Sequence, residues 1–334
     1  MPLPPLTAPF RIGRVEIPNR VVLAPLAGIG NWFVRLQAKR YGAGLAVSEM
    51  VSSFGVHHRN DKTVGEMLRI HPDERSGGRG PVSIQLFGQD PEVMRSAAAT
   101  VAERGADLID LNMGCPVPKV CKTGAGAALI KDPDTAVAVA RAAREGSGLP
   151  VTVKLRSGQR PGETDGYELA HRLVREAGVS AIGFHPRSAA VHHKGTPDYD
   201  LAARLVESLG APVILTGGLS SPAAVRAAYE RTGATAVMLA RGALGNPWLF
   251  AQLLGTRSEE PRPDEVLAEL EWVMDRAVEH LGADRAGRYL RKFYPWYVER
   301  LGAGKAVQEA LQRTATVTEA RAVLDGLRTL PEAA

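Results

Sequence analysis

Cys115 stands in the run Asn112-Met113-Gly114-Cys115-Pro116-Val117-Pro118-Lys119, with Gly124 and Gly126 just beyond. A thiol beside a lysine, in a loop long enough to move, can act as proton donor or nucleophile. The other use of such a cysteine is as a small buried filler. Its place at the end of an apolar run favours chemistry. Cys121 has no such setting, and the gap between the two cysteines is not a metal-ligand spacing. Lys154 falls in the apolar run Val151-Thr152-Val153-Lys154-Leu155-Arg156. A lysine there is costly unless paired or liganded. It either pairs with an acid such as Glu49 or faces an anionic ring. Gln85, between Ile84 and Leu86, can donate and accept at a heterocycle edge, or serve structure alone. Thr216-Gly217-Gly218 precedes Ser221-Pro222, and Arg241-Gly242 precedes another helical stretch. Glycines admit a close ligand, and helix N-termini attract anions. Tight turns alone would use the same glycines. Two such turns, one carrying Arg241, point to a phosphate. His57-His58 and His192-His193 lie in polar loops and read as solvated.

These residues need elements to hold them. Eight apolar, β-branched-rich runs recur, at 21–26, 45–50, 81–87, 106–112, 150–156, 179–185, 212–216 and 235–240. Helix signals lie between them. Asp90-Pro91-Glu92, Asp132-Pro133-Asp134 and Ser221-Pro222 are helix openings, with a capping side chain and proline in the first turn. Gly105, Gly146, Gly178 and Gly233 fall near expected helix ends. Strands alternating with helices imply parallel pairing, and eight units in this length predict a (β/α)8 barrel. A doubly wound sheet is the alternative, but no GxGxxG follows the first strand. Chemistry in such barrels sits at the C-terminal ends of the strands. The residues singled out above fall there, with Asn112, Arg156, His185 and Arg187 beside them.

The pattern changes after residue 255. Residues 256–263 are polar with two prolines and read as a linker. The text from 264 to 334 is helical, with helices expected at 264–281, 283–301, 305–314 and 318–330. From residue 256 onward there are 12 basic and 14 acidic residues, yet 285–305 carries six basic residues against Glu299 alone. Arg285, Arg288 and Lys292 recur at helical spacing with Arg291 alongside. A phosphate-contacting stripe and a solvated face are both open for these cations. The interleaved Tyr289, Phe293, Tyr294, Trp296 and Tyr297 read as core.

Composition bounds the rest. The 334 residues are 45% apolar and 23% charged, with net charge +5 and a pI near 9.3, which permits an acidic partner. Two cysteines exclude a disulfide framework and a four-cysteine zinc site. No run approaches the ~18 apolar residues of a membrane helix, and the proline-rich start does not read as a signal peptide. A soluble cytoplasmic protein without a metal is expected.

The Pro25-Leu26-Ala27-Gly28 turn, Ser48-Glu49-Met50, Gln85, the cysteine loop, Lys154, His185-Pro186-Arg187 and the run from Arg241 to Trp248 together resemble the tRNA-dihydrouridine synthases. The bacterial B-type is the most similar, through the strand-two text and the run from Arg291 to Tyr297. The resemblance covers the barrel and the tail, and the cysteine loop is its most specific element. It implies FMN as cofactor, NADPH as reductant and tRNA as substrate. Carried over by motif, Pro25 and Ala27 would back the flavin and Gln85 would meet its edge. Lys154 would lie near the ring's N1/O2 side, and His185 beside the ring. Thr216, Gly217 and Gly218 with Ala240, Arg241 and Gly242 would hold the phosphate. Cys115 would be the general acid. Asn112, Lys119, Arg156 and Arg187 would face the substrate, with Arg288, Arg291 and Lys292 reaching tRNA from the tail. No protein partner is implied, and a monomer is compatible. Two departures stand out: Thr216-Gly217-Gly218 replaces the family's usual Asn-Gly-Asp, and Gly30-Asn31 replaces Thr-Asp. A small-molecule flavin barrel of the dihydroorotate or dihydropyrimidine dehydrogenase or ene-reductase type is the first rival; it would need no basic helical tail. A tRNA-binding protein without catalysis is the second; Cys115 and Lys154 speak against it.

Overall fold

Each of the eight apolar runs becomes a parallel strand, and the eight close into one barrel in a computed structural model describing residues 3–328. After a hairpin of β1 (Phe10–Ile12) and β2 (Val15–Ile17), the barrel strands are β3 (Val21–Leu23), β4 (Leu45–Ser52), β5 (Val82–Phe87), β6 (Leu108–Met113), β7 (Val151–Arg156), β8 (Ala181–His185), β9 (Val213–Thr216) and β10 (Ala236–Leu239). Neighbours in sequence are neighbours in the barrel, and β10 closes on β3 through Val237 opposite Val21. The crossovers carry α1 (Trp32–Arg40), α2 (Ser53–His57), α3 (Pro91–Glu103), α4 (Pro118–Cys121), α5 (Pro133–Ser147), α6 (Asp165–Ala177), α7 (Tyr199–Ser208) and α8 (Pro222–Thr232).

The capping signals act as expected. Asp90 accepts from the amides of Glu92 and Val93 at 2.9 and 3.0 Å, and Ser221 accepts from Ala224 N at 3.2 Å. Gly178 and Gly233 end α6 and α8 in the left-handed conformation. Gly146 does not end its helix. It lies inside α5, where a Cβ would come within 2.2 Å of the Arg95 carbonyl, so its smallness lets α3 and α5 approach; Gly148 is the cap.

The hairpin was not legible in the sequence. It closes the N-terminal end of the barrel: Phe10, Ile12 and Ile17 pack with Leu45, Leu108, Ala181 and Ala236, which begin their strands. Ile12 and Ile17 are fully buried, and such burial stabilises by about 1.5–3 kcal/mol per side chain.

The chain divides into two compact units, Met1–Gly242 and Ala243–Ala334. The division precedes the expected break at 255 because α9 (Trp248–Leu253) packs within the second unit. A Cβ on Gly245 would meet Trp296, and Gln252 donates to Glu260 at 3.1 Å. The expected linker is irregular but lies inside this unit, pinned by Arg257 on Glu265 at 2.8 and 2.9 Å. The second unit continues with α10 (Pro263–Leu281), α11 (Ala283–Leu290), α12 (Tyr294–Leu301), α13 (Gly304–Arg313) and α14 (Val317–Arg328). The helix expected over 283–301 is two helices, because Pro295 opens α12 and cannot continue α11. The last helix is described to residue 328, and its expected end at 330 lies outside the described residues. Phe293, Tyr294 and Tyr297 are buried in the core of this unit.

Candidate active site

A cavity of about 530 Å³ opens at the C-terminal ends of the barrel strands. It draws Pro25 and Ala27 from the segment after β3, Asn112 and Cys115 from the end of β6, and Lys154 and Arg156 from β7. His185 and Arg187 enter from β8, Thr216, Gly217 and Gly218 from β9, and Ala240, Arg241 and Gly242 from β10. Side chains alternate along a strand, so Lys154 and Arg156 share one face with Thr152. Its volume lies in the range of ligand and cofactor pockets.

The Cys115 loop is gripped along its backbone. Asn112 Oδ1 accepts from the amides of Gly114 and Cys115 at 3.2 and 2.9 Å. Arg156 Nε donates to the Gly114 carbonyl at 3.0 Å, and Ala127 N donates to the Cys115 carbonyl at 2.9 Å. The Cys115 side chain is half-buried and lines the cavity, within the field of Lys154 and Arg156.

The cations differ in what they hold. Arg156 is buried and spends donors on Gly114, Ser188 and His192 carbonyls; burial holds its guanidinium down to about 10. Arg187 donates to the Gly195 carbonyl at 2.7 and 3.1 Å and to His185 Nε2 at 3.2 Å. His185 therefore accepts at Nε2. Burial, with Lys154, Arg156 and Arg187 around it, pushes its pKa far below the ordinary value and keeps the ring neutral. Its ring stacks on His193 with centroids 6.1 Å apart. Lys154 is different. Its ammonium has no hydrogen-bond or ion-pair partner among the described residues, and burial beside Arg156 pushes its pKa down to about 8. The pairing with Glu49 is not formed; Glu49 instead accepts from Gly28 N at 2.9 Å.

Gly217 and Gly218 have φ of +104° and +78°, a region that favours glycine. A Cβ on Gly217 would lie 2.4 Å from His185 Cδ2, and one on Gly218 2.6 Å from Tyr199 Oη. Tyr199 Oη donates to the Gly217 carbonyl at 2.9 Å and fixes the turn. Arg241 is exposed at the cavity, and its guanidinium has no partner among the described residues. A partnerless half-buried cation, a glycine turn and an unspent arginine fit the flavin mononucleotide that the resemblance implies, whose phosphate is an anion and whose ring becomes one on reduction. Among the described residues, no cluster of three or more His, Cys, Asp or Glu could hold a metal, and no helix is long and apolar enough to cross a membrane.

Several expected site residues sit elsewhere or are already engaged. Gln85 is fully buried and does not line the cavity. Its Nε2 donates to Asp110 at 2.6 Å, and its Oε1 accepts from Asn112 Nδ2 at 3.0 Å. Lys119 is exposed on α4, outside the lining. Arg291 donates twice to the Thr314 carbonyl, at 2.7 and 3.2 Å, and so braces the second unit. Lys292 lies over the Tyr289 ring at 4.7 Å, and Arg288 is exposed. Asp110, Thr152 and Tyr199 were missed. His192 and His193, read as solvated, are exposed but line the cavity. The available signal for Asp110 was its period-2 spacing from Asn112.

The dihydrouridine synthase family model matches residues 22–334. The chain is 34% identical over 300 residues to tRNA-dihydrouridine synthase B of Xanthomonas axonopodis pv. citri, covering 87% of each chain. It is 36% identical over 335 residues to the probable tRNA-dihydrouridine synthase of Mycobacterium tuberculosis, covering 95% of this chain and 84% of that one. Among solved structures, morphinone reductase matches with TM-score 0.58 at 18% identity, over 79% of this chain and 93% of that one. The old yellow enzyme homologue from Zymomonas mobilis matches with TM-score 0.57 at 17% identity, over 76% of this chain and 93% of that one. These two share the fold.

Proposed function

This chain belongs to the dihydrouridine synthase family, and from that premise we propose that it reduces specific uridines of tRNA to 5,6-dihydrouridine, with FMN as bound cofactor, NADPH as reductant and Cys115 as proton donor. One observation carries the reading: the Cys115 thiol and the partnerless Lys154 ammonium line the same cavity as the Gly217–Gly218 turn and Arg241.

When bound, FMN supplies the two-electron reduction at C6 of the uracil. The charge that develops on the base needs a proton at C5, and Cys115 gives it. A general acid of this kind contributes roughly 10²–10⁴-fold. Asn112 and Arg156 hold the thiol's loop from its amide and carbonyl sides. Lys154 supplies positive charge beside the ring, and with a pKa of about 8 it stays protonated at neutral pH. Neutral His185, fixed by Arg187, packs there without adding charge. Arg241 and the amides around Gly217, Gly218 and Gly242 take the phosphate, while Pro25 and Ala27 back the ring. The uridine must be extruded from folded tRNA, at a cost of a few kcal/mol. The helical unit supplies tRNA contacts through Arg288 and Lys292.

The test is mass spectrometry of unmodified tRNA incubated with protein, FMN and NADPH, with free uridine and orotate in parallel. Dihydrouridine at a tRNA position supports the reading. Turnover on the small molecules alone returns the chain to the dehydrogenase rival.

A further inference from the structure

Behind the cavity runs a buried chain of hydrogen bonds that ends on a carboxylate. Parallel register places Gln85 of β5 opposite Asp110 of β6, and Asp110 opposite Thr152 of β7. Gln85, Asp110 and Thr152 are all buried. Thr152 Oγ1 donates to Asp110 Oδ1, and Gln85 Nε2 donates to Asp110 Oδ2 at 2.6 Å. That turns Gln85 Oε1 toward Asn112, whose Nδ2 donates to it at 3.0 Å. Asn112 Oδ1 is thereby turned to the loop, where it accepts from Gly114 N and Cys115 N.

Every bond in this chain has the same polarity, from the Cys115 amide down to Asp110. A side-chain amide has one donor end and one acceptor end, so neither Gln85 nor Asn112 sets its own direction. An ionised carboxylate only accepts, and so fixes the direction for both. Burial pushes the Asp110 carboxyl up to about 6, against its hydrogen bonds and the Lys154 charge, and it remains ionised at neutral pH. We propose that Asp110 is a positioning residue, which acts through Gln85 and Asn112 to set the amide orientation holding the Cys115 loop. The role assigned to the thiol rests on the function proposed above; the hydrogen-bond direction does not.

The polarity can be exchanged without changing shape. In Asp110→Asn, the new amide faces Gln85 donor to donor unless the Thr152 hydroxyl reverses and accepts from it, an escape that adding Thr152→Val closes. In Gln85→Glu, two carboxylates meet. In the double variant Asp110→Asn/Gln85→Glu, the new asparagine donates to the new glutamate, which still accepts from Asn112. Thr152→Val removes one donor to Asp110 and lets its carboxyl rise further, so this control is read on the alkaline side, where the carboxylate still only accepts and the direction is intact.

Two readouts apply to the FMN-loaded protein. The first is the rate of Cys115 alkylation by iodoacetamide, read on the tryptic peptide ending at Lys119, which separates it from Cys121. The second is the split between flavin reduction by NADPH and reoxidation by tRNA. Gln85→Glu, and Asp110→Asn in the Thr152→Val background, should each speed alkylation and slow reoxidation roughly 10–100-fold. Flavin reduction should stay within about twofold, and the double variant and Thr152→Val should both lie near wild type. A double variant no better than the worse single one overturns the proposal. So does a Thr152→Val effect as large as that of Asp110→Asn in the Thr152→Val background, which would point to general disruption of the core. Cys115→Ala tests the other reading: full turnover there removes the acid role, while the alkylation pattern still decides the positioning.

Discussion

Lys154→Met should stabilise the cofactor-free protein and weaken flavin binding. The wild-type ammonium is held among buried groups with no hydrogen-bond or ion-pair partner, and its pKa falls from 10.5 to about 8. At 1.36 kcal/mol per pH unit, that fall corresponds to about 3 kcal/mol of uncompensated charge burial. Methionine has a similar reach and no charge. The variant without cofactor should therefore gain up to about 3 kcal/mol at pH 7, or roughly 5–10 °C in Tm. The pH dependence has a definite sign. A lysine with a depressed folded pKa costs nothing above 10.5, and its cost grows as pH falls to about 8. The stability difference between variant and wild type should open over that window and stay constant below it. Adding FMN, above all in its reduced form, should reverse the order, because a ring that is anionic once reduced would compensate the lysine and not the methionine. Differential scanning calorimetry with and without FMN, from pH 7 to 10.5, measures all of this. A less stable methionine variant without cofactor, or one that binds FMN as tightly as wild type, would refute the reasoning.

Two further outcomes follow from the same geometry. Gly217→Ala should lower FMN affinity at least tenfold while the barrel still folds, because a Cβ there meets His185 at 2.4 Å on backbone with φ of +104°; titration of the flavin's fluorescence tests it, and unchanged affinity counts against the cradle. Charge reversal should separate two neighbouring arginines: Arg288→Glu should weaken tRNA binding and flatten its salt dependence with Tm unchanged, whereas Arg291→Glu should destabilise the helical unit by about 1–3 kcal/mol through loss of its bonds to the Thr314 carbonyl. Filter binding across a salt series, set beside thermal unfolding, distinguishes them.

The barrel was legible because parallel strands are buried on both faces and read as near-continuous apolar runs. Helix openings such as Asp90-Pro91 were legible because a cap needs only its own few residues. The β1–β2 hairpin escaped because three-residue strands are too short to show a period. The unit boundary escaped for another reason. Prolines and polar residues at 256–263 do mark irregular backbone, but which unit that backbone joins depends on contacts such as Gly245 with Trp296. Local text does not encode those. The split at Pro295 was in the sequence, since a proline begins a helix more readily than it continues one.

The candidate site divides along a similar line. Polar residues at strand ends were readable as a ring, and most of them do meet in one cavity. What each has left to offer a ligand was not readable. Arg156, Arg187, Gln85 and Arg291 carry the donors that a substrate or phosphate would use, yet they spend part of them on carbonyls at Gly114, Ser188, His192, Gly195 and Thr314 or on Asp110. Those acceptors lie in loops and neighbouring strands that periodicity does not register. A strand-end arginine and a ligand-binding arginine therefore look alike until donors are counted. The count singles out Lys154 and Arg241, cations lining this cavity with no partner among the described residues. Burying an unpaired charge is expensive, so the position of Lys154 is what the proposed flavin would account for, whereas Arg156 braces the loop at Gly114.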